Sequence, residues 1–340
     1  MSHANRWAVF GLFFFSGSCA LVYQITWMRL FRLVMGNTVF TSATVLTAFM
    51  AGLALGSFIA GRLTDRTAHP LRTYAWLEVF IGLCGFGLAP AFTAAEPLYA
   101  WLYSLLSESP LLLSIGRFLV SSALLLLPAT LMGATLPLLS RFMTQRVDSM
   151  GRDLGRLYAL NTLGAALGAA ITGFVLVPAL GVQTTLWTAA GANLVIGALA
   201  FALAFALART PVATPEDAPA PARLGNSAAL WALALTGFAS MVYEVSWTRT
   251  LGMLLGSSVY AFTLMLVAFI CGLGLGSLFL ANWIDRRPNL VHTLALLQLA
   301  VGTTALLVEP LFGLLPLCLL YTSDAADEGL GVDLGGRRII

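Results

Sequence analysis

Lysine is absent from the sequence, and charged residues of both signs are scarce: all 18 basic residues are arginine, and only 10% of the 340 residues are charged. Soluble proteins carry about 25% charged residues, so an ordinary soluble domain is excluded. The net charge is only +3, and the arginines lie between apolar runs, so no basic patch indicates nucleic-acid binding. The four cysteines form no CxxC pair, and we therefore expect neither a metal site nor a disulfide framework.

Long apolar runs dominate what is present. Hydrophobic residues make up 59% of the chain, and the mean hydropathy is +0.88. Because about 20 helical residues cross the ~30 Å hydrocarbon core, these runs predict an all-α, polytopic membrane helical bundle whose main partner is the lipid bilayer. About nine spans are predicted, at 7–28, 38–60, 73–92, 118–139, 157–178, 183–207, 228–247, 258–281 and 289–308. Residues 96–117 hold two prolines and are predicted to form a loop with a short interfacial helix.

Arginines are distributed unevenly between the alternating loops. Twelve lie on one side of the predicted membrane and four on the other, namely Arg29, Arg32, Arg117 and Arg249. Since cytoplasmic loops are enriched in basic residues, we expect a cytoplasmic N-terminus. The exclusive use of arginine indicates GC-rich coding, so we expect a multi-pass protein of a bacterial inner membrane. Arg29 and Arg32 are exceptions to the asymmetry, because they fall on the outer side.

An internal repeat relates two parts of the chain. A shift of 220 residues places 17–66 on 237–286 without a gap, and 17 of these 50 positions are identical. Six predicted spans separate the copies, so they share one topology, as in bundles built from two parallel six-helix repeats. Nine spans then predict that the second repeat is truncated. The identical pairs include Tyr23/Tyr243, Trp27/Trp247, Arg29/Arg249 and Asp65/Asp285.

Composition divides the chain into four segments. Residues 209–226 contain four prolines and no hydrophobic periodicity, which predicts a semi-extended cytoplasmic linker. The linker separates the first six-helix repeat, 1–208, from the start of the second, 227–317, which holds three helices. Residues 318–340 lose the apolar character and resemble the conceptual translation of a sequencing adaptor. We therefore expect this tail to be non-native.

Several separated motifs carry a family resemblance. They are Tyr23-Gln24-x-x-Trp27-x-Arg29, Gly36-Asn37-Thr38, AFMAGLALGSFIAGRLTDR at 48–66, PATLMGATLPLLSR at 128–141 and GRLYALNTLGAALGAAITGFVLVPALG at 155–181. In this order they resemble the membrane domain of bacterial proteins in which a major-facilitator-like bundle is fused to a spermidine-synthase-like domain. The resemblance covers about residues 7–317 and implies a major-facilitator-like fold. It also implies a C-terminal soluble, aminopropyltransferase-like domain that is missing from this chain.

The resemblance implies an integral membrane domain that binds or moves polyamines or related cations. Residues 1–317 contain no nucleophile–base pair, metal cluster or cofactor loop, so we expect no catalytic site and no cofactor in this chain. The full-length protein would carry the aminopropyltransferase activity. Two other interpretations stay open, namely a truncated stand-alone secondary transporter of the major-facilitator kind with unknown substrate, and a passive anchor for a catalytic domain.

Polar residues within the predicted spans are the candidates for cation binding. A charged side chain at the centre of a span costs about 2.5–3.5 kcal/mol on insertion scales, so it must be paired, protonated or in contact with water. A carboxylate attracts a polycationic small molecule by Coulomb forces, and neighbouring rings add cation–π contacts. Gln24 and Glu244 occupy equivalent repeat positions, each three residues before a tryptophan. The predicted substrate-binding residues are Gln24, Glu244, Tyr23, Tyr243, Trp27, Trp247 and Glu78.

Structural roles compete with binding at these positions. Tyr23 and Trp27 fall near the outer end of the first span, where an aromatic belt is expected. Arg249, five residues after Glu244, could neutralise that carboxylate. Asn161 is expected to bridge helices through its amide, and so is Asn193.

Two repeated motifs predict packing and gating. Glycines four residues apart, Gly52/Gly56 and Gly272/Gly276, let a neighbouring backbone approach one face of a helix. Because the two pairs are equivalent, spans two and eight are predicted to meet between the halves. At the cytoplasmic ends of these spans lie charged pairs that form solvated caps or a gating latch. These pairs are Asp65-Arg66, within a GxLxDR motif that resembles the signature loop of major-facilitator transporters, and Asp285-Arg286.

Overall fold

The computed structural model describes residues 3–35, 39–64, 67–143, 150–208, 227–254, 259–281, 283 and 290–330. Within these ranges the chain is helical apart from short turns, and it contains no strand. The all-α class is therefore confirmed. The linker 209–226 and the four charged residues predicted to gate, Asp65, Arg66, Asp285 and Arg286, lie outside the described residues.

The helices follow the predicted apolar runs. They are α1 (His3–Met35), α2 (Val39–Leu63), α3 (Pro70–Leu106), α4 (Pro110–Met143), α5 (Met150–Ile171), α6 (Val177–Ala208), α7 (Ser227–Leu254), α8 (Val259–Ala281) and α9 (Leu290–Leu330). Seven helical stretches of the described chain are long and apolar enough to cross a membrane. The stretch Gly151–Leu207 combines α5 with α6, and α7 is not among the seven. The number of spans and the two-repeat architecture therefore stay predictions.

The connection between α3 and α4 differs from the predicted loop over 96–117. α3 continues through Pro90 and Pro97 to Leu106, and α4 already begins at Pro110. Proline removes one backbone donor but does not end a helix whose neighbours accommodate it, and at a first helical position its missing N–H costs nothing. The prediction of a loop with a short interfacial helix was wrong, because it gave the prolines too much weight.

The α5–α6 connection is tight. A π-helical turn, Thr172–Leu176, leads directly into α6, and Gly181 interrupts α6 with φ 76° and ψ 173°. A positive φ is accessible to glycine without strain. The predicted break between spans five and six, at 178–183, therefore coincides with a real interruption of the helix.

Two glycines of α2 allow this helix to pack closely against α4. A Cβ on Gly52 would lie 2.3 Å from the Ala129 Cβ, and one on Gly56 would lie 1.9 Å from the Thr130 carbonyl oxygen. Only hydrogen fits at both positions, so the two backbones approach closely. The Ser57 hydroxyl donates to the Gly133 carbonyl across the same contact, at 2.9 Å. The packing role predicted for this glycine pair is confirmed.

The α1–α5 contact is built in the same way. A Cβ on Gly164 or Gly168 would collide with the carbonyl oxygens of Phe14 and Ser18, at 2.0 and 2.2 Å. The Asn161 amide donates to the Phe13 carbonyl at 2.9 Å, so this residue bridges the two helices as predicted. α1 is the most enclosed of the apolar stretches, because 61% of its apolar 18-residue segment is buried.

α8 packs against α5 instead of α2. Gly274 faces the Leu163 side chain, whereas Gly272 and Gly276 have nothing within 4 Å of an added Cβ. The predicted meeting of spans two and eight is therefore not found as a packed interface. The glycine pair of α8 faces open space where the equivalent pair of α2 contacts α4.

Candidate functional site

Glu78 of α3 is the most deeply buried carboxylate of the described chain, with no exposed surface. The Ser16 hydroxyl of α1 donates to Glu78 Oε1 at 2.6 Å, and the Asn193 amide of α6 donates to Glu78 Oε2 at 2.5 Å. Each carboxylate oxygen thus has a donor from a different helix. Hydrogen bonds of this kind offset the desolvation of a buried carboxyl group.

Asn193 extends this cluster to the aromatic residues of α1. The Tyr23 hydroxyl donates to the Asn193 side-chain carbonyl at 2.9 Å, so one amide joins Tyr23 to Glu78. Tyr74, one turn before Glu78 on α3, brings its hydroxyl to the same carboxyl group, although it completes no hydrogen bond of standard geometry there. We call Ser16, Tyr23, Tyr74, Glu78 and Asn193 the Glu78 cluster.

Next to this cluster, Tyr23 stacks on Trp27. Their ring centroids lie 5.6 Å apart at 28°, and the edge of Phe49 packs on Trp27 at 6.1 Å. Tyr23 and Trp27 have no exposed surface, so their ring faces are already covered by protein. Gln24 lies beside them, is 99% buried (1% exposed) and leaves its Nε2 atom without a hydrogen-bond partner.

The equivalent residues of the repeat lie on α7. Tyr243 stacks on Trp247 with a centroid distance of 5.3 Å at 15°, which reproduces the geometry of the first stack. Glu244 is only 2% exposed, and its Oε1 atom is shielded from solvent without a hydrogen-bond partner. Unlike the rings of the first stack, those of Tyr243 and Trp247 are partly accessible.

Arg249 does not neutralise Glu244. Its side chain is exposed, and the structure contains no ion pair between these two described residues. Among the described residues Glu244 thus has no ion-pair partner, in contrast to Asp153, which pairs with Arg6 between α5 and α1.

The predicted site residues thus form two groups. Asn193 joins Tyr23 to Glu78, and Trp27 stacks on Tyr23. On α7, Tyr243 stacks on Trp247, and Glu244 follows Tyr243 in the sequence. A cavity of about 310 Å³ between α1, α3 and α6 contains none of these residues. Its lining is mainly apolar and includes Leu30, Phe92, Gln183 and Trp187.

The contacts within the Glu78 cluster could not be found from the sequence. Ser16 lies 62 residues and Asn193 lies 115 residues from Glu78, so no spacing rule relates them. The prediction that Asn193 bridges helices is confirmed. The sequence did not predict its partners, Tyr23 and Glu78. Ser16 and Tyr74 carried no signal beyond their location in apolar runs. In the part of the chain that the structure describes, no group of three or more His, Cys, Asp or Glu residues could hold a metal ion.

Comparisons with known proteins point to one class of relatives. The chain is 29% identical to polyamine aminopropyltransferase 2 of Streptomyces coelicolor over 198 residues, which cover 57% of the chain and 33% of that protein. It is 29% identical to the polyamine aminopropyltransferase of Mycobacterium tuberculosis over 168 residues, which cover 48% of the chain and 29% of that protein. No family model and no solved structure matches. The chain spans about a third of the length of the curated relatives it matches. About half of the chain is similar to proteins named polyamine aminopropyltransferase.

Proposed function

We propose that the chain is the integral membrane domain of a polyamine aminopropyltransferase-like protein and that it binds polyamines or related cations at Glu244. Helices long and apolar enough to cross a bilayer support the membrane location. The names of the two relatives support the polyamine connection. In this proposal the transferase activity resides in a soluble domain outside the present chain.

The single observation that carries the binding site is the Oε1 atom of Glu244, which is buried without a hydrogen-bond partner. Burial of an unpaired charge costs several kcal/mol, so buried carboxylates are normally paired or hydrogen-bonded. Glu78 illustrates the usual solution, because both of its oxygens have donors. Glu244 Oε1 has none, and a cationic ligand would supply what the protein does not.

The neighbouring rings suit an amine ligand. Tyr243 and Trp247 stack along one face of α7 and remain partly accessible. An ammonium group held by Glu244 would lie close to these rings, where cation–π attraction adds about 0.5–2 kcal/mol. The methylene groups of a polyamine would cover the apolar surface that the stack presents. The rings of Tyr23 and Trp27 are fully buried, so in this proposal they contribute to helix packing instead of ligand binding.

The proposal includes a two-repeat, major-facilitator-like architecture. Two observations support it: the Tyr–Trp stack recurs with similar geometry on α1 and α7, and unpartnered polar atoms recur at the equivalent positions Gln24 and Glu244. The arginine asymmetry of the loops supports a cytoplasmic N-terminus. Asp65 and Asp285, with the arginine that follows each, keep their proposed role in gating.

Binding of spermidine to the purified chain in lipid nanodiscs tests the site. Equilibrium dialysis with labelled spermidine would compare the wild type with Glu244→Gln, which keeps the shape of the side chain and removes the negative charge. Glu96→Gln is the matched control, because Glu96 is an exposed glutamate on α3. Loss of a charge-assisted contact worth about 1.5–3 kcal/mol should weaken binding at least about tenfold in Glu244→Gln.

The control should bind spermidine like the wild type. Equal affinity of Glu244→Gln and the wild type would remove Glu244 from the site. Absence of saturable spermidine binding by the wild type would overturn the polyamine assignment itself.

A further inference from the structure

Two arginines near the C-terminal end of α1, Arg29 and Arg32, are unexplained by the proposed cation site. They lie three residues apart on one helix, so their side chains project from the same face. Both side chains are partly buried. The Nε atom of each guanidinium is shielded from solvent and has no hydrogen-bond partner. They are also two of the four arginines that are predicted to lie on the outer side.

An aromatic residue near the start of α8 lies beside the pair. The Arg32 guanidinium carbon lies 5.8 Å from the centroid of the Phe262 ring. Tyr260, two residues before Phe262, stacks on Phe174 with their ring centroids 5.8 Å apart. The Arg32 side chain therefore has an aromatic ring on the α8 side.

A counterion for these guanidiniums is missing from the described part of the chain. Neither Arg29 nor Arg32 forms an ion pair there, whereas the partly buried Arg6 pairs with Asp153. Two like charges less than one helical turn apart repel each other, and burial adds a desolvation cost. The C-terminal end of a helix attracts cations, but this attraction leaves the buried Nε atoms unpaired. An anion held between the two side chains would satisfy both donors and remove the repulsion.

We propose that Arg29 and Arg32 bind a phosphate group at this end of α1. The planar guanidinium fork matches phosphate oxygens with paired hydrogen bonds, and two guanidiniums balance the charge of a phosphate. The phosphate group belongs either to an anionic lipid headgroup or to a soluble phosphate, and the chemistry of recognition is the same for both. This site is separate from Glu244 and does not depend on polyamine binding.

Thermal unfolding of the purified, delipidated chain in neutral detergent tests the proposal in two arms. In one arm, sodium phosphate is titrated against sodium chloride at equal ionic strength. In the other, dioleoylphosphatidylglycerol is compared with dioleoylglycerol, which has the same acyl chains but no phosphate. The variants are Arg29→Gln/Arg32→Gln and the control Arg249→Gln, whose arginine occupies the repeat position equivalent to Arg29 but is exposed.

The wild type and Arg249→Gln should unfold at a higher temperature with phosphate or with the phospholipid. Stabilisation in the lipid arm alone identifies a headgroup, and stabilisation by inorganic phosphate identifies a soluble ligand. The double variant should need at least about tenfold more ligand for half of the effect. If it fails to fold, Arg29→Lys and Arg32→Lys, which keep the charge and lose the fork, take its place under the same criterion. A wild type that neither ligand stabilises, or variants with an unchanged ligand dependence, would overturn the proposal.

Discussion

Adding one methyl group at Gly56 should open the contact between α2 and α4. A Cβ there would lie 1.9 Å from the Thr130 carbonyl oxygen, whereas ordinary Cβ contacts begin near 3.4 Å. The difference, 3.4 Å minus 1.9 Å, requires the two backbones to separate locally by about 1.5 Å. The helices cannot separate this far without loosening the Ser57–Gly133 hydrogen bond at the same contact.

Overpacking of this kind costs about 1–3 kcal/mol. The collision at Gly56 is with backbone atoms, which places its cost near the upper end of this range. The α-helical preference of alanine over glycine returns about 1 kcal/mol, so Gly56→Ala should destabilise the chain by a net amount of about 2 kcal/mol. Gly276→Ala is the matched control, since Gly276 is the repeat equivalent of Gly56 and nothing lies within 4 Å of its added Cβ. Only the helix preference acts there, so this variant should be neutral or slightly stabilised.

Unfolding in increasing mole fractions of dodecyl sulfate, followed by tryptophan fluorescence, measures both effects on the same scale. Gly56→Ala should unfold at a lower dodecyl sulfate fraction than the wild type, and Gly276→Ala should not. The packing argument would be refuted if Gly56→Ala kept the wild-type midpoint, or if Gly276→Ala lost as much stability as Gly56→Ala.

Further predictions follow from the polar contacts and the orientation. In a double-mutant cycle on the free energy of unfolding, Glu78→Leu and Asn193→Leu should be coupled by about 1.5–3 kcal/mol, because either single variant leaves a buried polar group without its partner. Additive effects of the two substitutions would contradict the Glu78 cluster. Arg6→Ala and Asp153→Ala should be coupled by about 1 kcal/mol in the same measurement. Because the Arg6 side chain is 35% exposed, this coupling should fall in high salt. A coupling that is absent or insensitive to salt would contradict a stabilising ion pair. A reporter protein that is active only in the cytoplasm should be active when it is fused to the N-terminus. Labelling of the N-terminus by a membrane-impermeant reagent in intact cells would contradict the predicted orientation.

The helices were predictable because each one needs a long apolar run, and such runs are read directly from the sequence. The interruption within α6 was also predictable, since Gly181 adopts a backbone conformation that glycine tolerates best. The continuity of α3 through Pro97 was not, because a proline-containing segment is a loop or a helix according to the neighbours that accommodate it. Sequence spacing holds no information about those neighbours.

The candidate site was predictable to a smaller degree. The repeat identified Gln24 and Glu244 as equivalent positions, and both carry unpartnered buried atoms. The role of Asn193 as a link between Tyr23 and Glu78 depends on three helices that are distant in sequence. That Arg249 does not pair with Glu244 is likewise a property of packing, because Arg249 is near in sequence but its side chain is exposed.

Protection of Glu244 from a hydrophobic carbodiimide tests the central claim most directly. The purified chain in nanodiscs would be treated with dicyclohexylcarbodiimide, with and without saturating spermidine, and the modified carboxyl groups would be located by peptide mass spectrometry. Sodium chloride at equal ionic strength controls for screening of charge. Because the amines of spermidine convert carbodiimide-activated carboxyl groups to amides, modification is counted as carbodiimide adduct plus spermidine amide. The account predicts that spermidine lowers this total at Glu244 while the total at the exposed Glu96 stays the same. Labelling of Glu244 that is unchanged at saturating spermidine would contradict the account.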